Sequence, residues 1–159
     1  MRKKPMLAYP VSDKPIDYTK PVFIQPKLDG VRCLIQYDNS TVTAYSRTGK
    51  VWKNIYHILF NLKPFFQLNP DVILDGELYN HAFKDDFESI ISMVRKQKPT
   101  REDMSKSRQN VQFHCYDIVD ETKSFEQRNN FIAQAVPRNH CIKHVETTQC
   151  FTESDAKIF

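Results

Sequence analysis

Glycine is scarce in this chain. Only 3 occur in 159 residues, where an average domain of that length carries roughly 11. The shortage excludes collagen-like, linker-like and other Gly-rich classes. Long apolar runs are missing too. The longest mostly apolar stretch, 55–66, is interrupted by His57, Asn61, Lys63 and Pro64, and it falls short of the roughly 20 residues of a membrane helix. No apolar h-region follows the basic start Met-Arg-Lys-Lys-Pro, so no secretory signal is expected. The expectation is a cytoplasmic protein (nucleoid or host cytosol, if viral) with no membrane partner. Cys-x-x-Cys pairs are absent: Cys33, Cys115, Cys141 and Cys150 stand apart, and a cytosolic chain keeps them reduced. His140, Cys141, His144 and Cys150 have zinc-ligand chemistry but neither paired spacing nor a Gly-rich turn, so they read as ordinary core or surface residues. Gly-x-Gly-x-x-Gly and Gly-x-x-x-x-Gly-Lys-Ser/Thr do not occur, which leaves Rossmann and P-loop phosphate sites unindicated.

What is present is a folding sequence. Hydrophobic residues make up 40% and aromatics 12%, too many for intrinsic disorder, and the length suits one domain. The net charge of +4 allows a phosphate-bearing partner but is below a nucleic-acid footprint. Residues 1–20, with Pro5, Pro10 and Pro15, read as an irregular lead-in. Short β-rich runs fall at 22–24, 31–37 and 41–45. Val31, Cys33, Ile35 and Tyr37 share one face, and the turn at Asp38-Asn39-Ser40 makes a hairpin. Helical spacing predicts a helix over 55–66 capped by Asn54, and another carrying Phe87, Ile90, Ile91 and Val94, capped by Asp85 or Asp86. Two short strands are expected on either side of a turn at Asp75-Gly76-Glu77. The polar stretch 100–110 reads as a loop, 111–119 as a strand and 141–145 as a short one. Ser124 with Gln127 opens a helix as a capping box, and a last helix starts near Thr152. Short links between strands favour an α+β fold of antiparallel sheets with flanking helices.

Each glycine sits among residues that can do chemistry. Gly30 lies in Lys27-Leu28-Asp29-Gly30-Val31-Arg32. A lysine amine is nucleophilic only when neutral, which from a reference pKa near 10.4 costs about 4 kcal/mol at pH 7; nearby cations or desolvation lower that cost. Gly49 lies in Ser46-Arg47-Thr48-Gly49, where an arginine fork suits a phosphate or ribose. Gly76 lies between Asp75 and Glu77, a pair suited to a divalent cation or to sugar hydroxyls. Taken singly, each reads equally as a solvated surface turn.

Taken in order, Lys-x-Asp-Gly-x-Arg, Ser-Arg-x-Gly and Asp-Gly-Glu resemble the covalent nucleotidyltransferase superfamily of ATP-dependent DNA ligases, RNA ligases and mRNA capping enzymes. The spacing, with Arg47 twenty positions and Glu77 fifty positions after Lys27, is similar to the DNA ligase branch. Phe113-His114-Cys115-Tyr116-Asp117-Ile118-Val119 resembles the family's aromatic-Asp strand.

The resemblance implies an ATP-grasp-like nucleotidyltransferase (adenylation) domain over 21–159. By it, Lys27 attacks the ATP α-phosphate to give lysyl-AMP. Gln25, Arg32, Arg47, Glu77 and Tyr116 bind the nucleotide, with Tyr116 stacking on adenine, and Mg²⁺ assists, with Asp29 and Glu77 as candidate ligands. AMP then passes to the 5′-phosphate of nicked double-stranded DNA for sealing in replication, repair and recombination, by a monomer. Gln25 stands where many ligases have Glu. The family's later Glu-Gly and Lys-x-Lys elements and its oligonucleotide-binding-fold domain do not occur before Phe159. The expectation is therefore the N-terminal part of a ligase, impaired alone in self-adenylation and nick sealing. An RNA ligase, a capping guanylyltransferase and a catalytically incomplete nucleotide-binding fragment are the alternatives.

Overall fold

The computed structural model describes residues 5–158. Residues 1–4 of the expected lead-in, and Phe159 at the end of the expected last helix, lie outside them. In chain order the elements are β1 (Val22–Ile24), β2 (Val31–Asp38), β3 (Thr41–Tyr45), α1 (Tyr56–Leu68), β4 (Leu74–Tyr79), α2 (Phe87–Val94), α3 (Arg101–Asn110), β5 (Gln112–Ile118), α4 (Phe125–Ala135), β6 (Ile142–His144), β7 (Thr148–Cys150) and α5 (Glu153–Ile158). Residues 5–21 contain no helix or strand. The architecture is α+β.

The chain divides into two compact units. The larger spans Leu28–His144 and holds a five-stranded sheet of order β3-β2-β4-β5-β6. Every pairing in it is antiparallel except β5 with β6. The hairpin turn works because Asn39 and Ser40 adopt φ of 48° and 65°, the left-handed pair that matches the twist of its strands. Period-2 alternation sends Cys33, Ile35, Val42, Ala44, Leu74, Leu78, Phe113 and Cys115 to one face. There they form a single core with Ile58, Leu62, Phe65 and Phe66 of α1, Ile90 and Val94 of α2 and Ile132 of α4. The smaller unit joins Met6–Lys27 to the stretch from Val145 onward. Within it β1 and β7 pair antiparallel, Val22 opposite Cys150.

Three local readings are corrected and one strand is added. Asp75-Gly76-Glu77 is no turn; it is the middle of β4. Gly76 is needed there because a Cβ would strike the His114 carbonyl and come within 2.8 Å of the Phe113 ring. Residues 101–110 form a helix, opened by a capping box between Thr100 and Asp103. Met104 is its one apolar residue, so apolar periodicity could not reveal it. Asn54 does not cap α1. It is buried, and its amide donates to the carbonyls of Met93 (2.9 Å) and Asp103 (3.1 Å), tying α2 to the start of α3. Finally, 148–150 forms β7, a strand that the sequence did not announce.

Candidate active site

The face of the large sheet opposite the core is polar and carries the residues singled out by motif. Arg32 on β2 lies across from Glu77 on β4. Its guanidinium reaches Asp75 with two parallel hydrogen bonds, Nε to Oδ1 at 3.0 Å and Nη2 to Oδ2 at 2.6 Å, the fork geometry in which arginine binds carboxylates most strongly. The Asp75 side chain is 4% exposed and that of Arg32 22%. The backbone carbonyl of Arg32 accepts from the Trp52 indole at 3.2 Å.

Tyr116 joins this group from β5, at a register shift between β4 and β5. Asp75 pairs with Asp117 and Gly76 with Cys115, which leaves Tyr116 as the extra residue of a bulge. The Tyr116 hydroxyl donates to Glu77 Oε1 at 3.3 Å, and the Arg32 guanidinium lies 5.7 Å from the centre of its ring. The backbone of Gly30 also hydrogen-bonds Glu77. Gly30 can approach so closely because it has no Cβ to meet the Leu78 carbonyl.

Burial sets the electrostatics. It pushes the Glu77 carboxyl up to about 7, against the opposing pull of the Tyr116 hydroxyl, the Arg32 charge and the Gly30 bond. Burial lifts Asp75 as well, partly offset by Arg32. For Arg32, burial works against the charge but Asp75 outweighs it, and the guanidinium is held protonated. The Tyr116 hydroxyl is raised by burial and by the Asp75 and Glu77 charges, so it stays a donor. The neighbouring His114, across from Glu77, is held neutral: burial, then Lys143 and His81, lower it to about 4. Cys33 and Cys115 are raised by burial, which makes them unreactive thiols.

The remaining motif residues lie elsewhere. Arg47 is exposed on a turn closed by Ser46 N–H to the Lys50 carbonyl at 2.7 Å, with Gly49 at φ 98°. Asp29 is exposed. Lys27 is exposed and ends one stretch of the smaller unit; Gln25, two residues before it, is half-buried, and its amide donates to Thr147 Oγ1 at 2.9 Å. The structure thus gathers Arg32, Glu77 and Tyr116 around Asp75 within the larger unit. Three polar partners went unassigned from sequence. Asp75 was visible as half of Asp-Gly-Glu. Trp52 carried no signal, and neither did Arg128, which pairs with buried Asp117 at 2.8 Å. A buried carboxylate beside an aromatic hydroxyl, an arginine and a backbone amide is suited to a nucleoside, with the ring for its base and the acid for its hydroxyls.

The family model described as ATP dependent DNA ligase domain matches residues 5–159. No curated protein sequence matches the chain. Among solved structures, the one named Pmar-Lig_Pre is 22% identical with a TM-score of 0.68 over 96% of this chain and 37% of its own. A Lig E DNA ligase studied for DNA binding with a minimal scaffold is 18% identical with a TM-score of 0.70, over 99% of this chain and 56% of its own. The ATP-dependent DNA ligase of bacteriophage T7, in complex with ATP, is 16% identical with a TM-score of 0.58, over 87% and 52%. These likenesses establish a shared fold, and the chain spans between about a third and just over half of their lengths. The family match leaves almost none of the sequence outside it, and the chain therefore belongs to the ATP-dependent DNA ligase domain family.

Proposed function

We propose that this chain is an adenylating unit of a DNA ligase, with Lys27 as its nucleophile. The observation that carries the reading is the continuity of Lys27-Leu28-Asp29-Gly30 with Arg32, whose side chain is locked beside Asp75, Tyr116 and, across the ladder, Glu77. The Nζ of neutral Lys27 forms a bond to the α-phosphorus of ATP. The bond from that phosphorus to the α–β bridging oxygen breaks, pyrophosphate leaves, and the amine gives up a proton to water. Tyr116 presents its ring to adenine. Glu77, ionised above about pH 7, accepts from a ribose hydroxyl, while Arg32 and Arg47 donate to phosphate or ribose oxygens and Gln25 to the base or ribose. Asp29 and Glu77 offer hard oxygen donors of the kind Mg²⁺ takes one or two at a time, with the triphosphate and water supplying the rest. Both fit a cation carried in on the nucleotide, where it neutralises charge developing on the phosphates.

AMP then passes to the 5′-phosphate of a DNA nick, and sealing follows in replication, repair or recombination. On this reading residues 21–159 are nucleotidyltransferase domain, the protein works as a cytoplasmic monomer, and this stretch of chain alone adenylates weakly and does not seal. Offering the chain α-labelled ATP and GTP in turn with Mg²⁺ tests it. Covalent label from ATP, absent from Lys27→Ala, is expected. Label from GTP instead points to a capping enzyme, and ATP binding without label to a non-catalytic nucleotide-binding unit. Sealing of a nicked duplex by this chain overturns the last claim.

A further inference from the structure

We propose that the groove between α1 and α3 docks a short acidic peptide segment of a partner protein, anchored by an aromatic or large aliphatic side chain. Helix α1 packs Ile58, Leu62, Phe65 and Phe66 against the core, while Tyr56 and Phe60 on its outer side are 53% and 77% exposed. Met104 of α3 is exposed as well. These three side chains border one cavity of about 470 Å³, together with His57, Arg108 and His140. An exposed apolar patch rimmed by polar groups marks an interaction surface, and the volume suits one or two peptide side chains.

Helical spacing builds the groove. Tyr56 with Phe60, and His57 with Asn61, stand one turn apart on α1; Met104 and Arg108 stand one turn apart on α3. The walls are tied together. His57 Nε2 donates to the Val111 carbonyl at 2.8 Å, and the Ser107 hydroxyl donates to the Asn54 carbonyl. Asn139, beside His140, donates from its amide to Asn61 Oδ1 at 3.4 Å, which holds the loop before β6 against α1. Walls fixed before a ligand arrives lower the cost of binding it.

Charge selects the occupant. No carboxylate lines the cavity, and Arg108 forms no ion pair among the described residues. Burial lowers the pKa of His57, and the charges of His140 and Arg108 add to it, against the Val111 bond, so three basic groups converge. A neighbouring cavity of about 350 Å³ differs, with Lys96 and Lys106 set against Asp103. Asn54 lines both cavities, and its Oδ1 is a buried acceptor with no donor among the described residues. An acidic peptide answers each feature: carboxylates for the basic groups, a ring or aliphatic chain for Phe60 and Met104, and main-chain N–H donors of the kind Asn54 lacks. A phosphodiester strand, charged at every residue, asks for a row of permanent cations, and this groove has a single arginine. Arg32, Glu77 and Tyr116 lie on the opposite face of the sheet from the core that α1 covers. A bound peptide therefore leaves the nucleotide site open, and the surface recruits the protein without taking part in adenylation.

A displayed library of random peptides, panned on the whole chain, supplies the probe: the most enriched peptide, synthesised with a fluorescein label. Its polarisation is titrated with wild type, Phe60→Ser and Arg108→Glu. The enriched peptides are expected to carry Asp or Glu beside an aromatic or large aliphatic residue, and each variant to weaken binding about tenfold or more. The same peptide with its acids replaced by lysines should bind Arg108→Glu more tightly than it binds wild type, a charge swap that no folding defect imitates. AMP labelling from ATP should be kept in both variants. No enrichment, enriched peptides without acids, or equal binding to all three proteins overturns the proposal. So does a nicked duplex that displaces the peptide and itself loses affinity for Arg108→Glu, which marks a nucleic-acid surface. A dimer in sedimentation that Phe60→Ser dissolves makes a second copy of the chain the occupant and overturns it too. Failure of the wild-type chain to take label from ATP refutes the ligase reading and leaves the peptide titrations readable.

Discussion

On one face of the large sheet, Cys33, Ile35, Leu74, Leu78 and Phe113 close against helices. On the other, one residue along each strand, Arg32, Asp75, Glu77 and Tyr116 close against one another. The same strands therefore serve two chemistries. The apolar face gains stability from area removed from water. The polar face bears a desolvation cost, visible in the rise of Glu77 to about 7, and recovers part of it through an arginine fork and a tyrosine hydroxyl. The difference teaches that the site is not self-supporting: its groups are positioned because the strands beneath them are fixed from behind.

The comparison is broken most severely from the core side. Phe113 is fully buried, and Phe113→Ala is expected to cost about 3–5 kcal/mol by urea unfolding, with loss of adenylation following loss of fold. A cost under about 1 kcal/mol would show that the sheet does not depend on this face. Asp75→Ala comes next: it leaves the Arg32 guanidinium without its fork partner, and about 3 kcal/mol is expected. Adding Arg32→Met should restore part of that. Additive losses in the double variant would mean that the pair is not coupled.

The third experiment separates two titrations. Folding raises Glu77 from 4.5 to about 7, so its stability contribution is present below about pH 4.5 and is lost as pH rises through about 7, worth about 3 kcal/mol. His114 falls from 6.5 to about 4, so its contribution is present above about pH 6.5 and is lost as pH falls toward 4. Between about 4.5 and 6.5 the two slopes oppose each other. Glu77→Gln should unmask the His114 slope there and be more stable than wild type at pH 8, though weaker in adenylation. A stability profile of wild-type shape would refute the assignment. The smallest effect on stability belongs to Arg47→Ala, exposed and outside both faces: within about 0.5 kcal/mol, with adenylation or transfer reduced nonetheless.

Much of this layout was legible from residue order. Alternation in 31–37 placed Cys33 and Ile35 inside, and Ser124 with Gln127 opened α4 with both capping bonds made. Motif order singles out Arg32, Glu77 and Tyr116, and the sheet brings these three together. What escaped depended on neighbours distant in sequence. Gly76 looks like a turn residue until the His114 carbonyl and Phe113 ring stand where its Cβ would be. Asn54 looks like a cap until two carbonyls from other helices claim its amide. Helix α3 had a local signal, Thr100 with Asp103, but no apolar stripe to draw attention to it. The register shift at Tyr116 is announced by no pattern in 112–118.

The central claim is that Lys27 becomes covalently adenylated. Intact mass of the chain with ATP and Mg²⁺, followed by peptide mapping, tests it most directly. The account predicts a gain of one AMP, located on the peptide carrying Lys27 and absent from Lys27→Ala. An adduct on another residue, or one that persists in the Lys27→Ala variant, would contradict it.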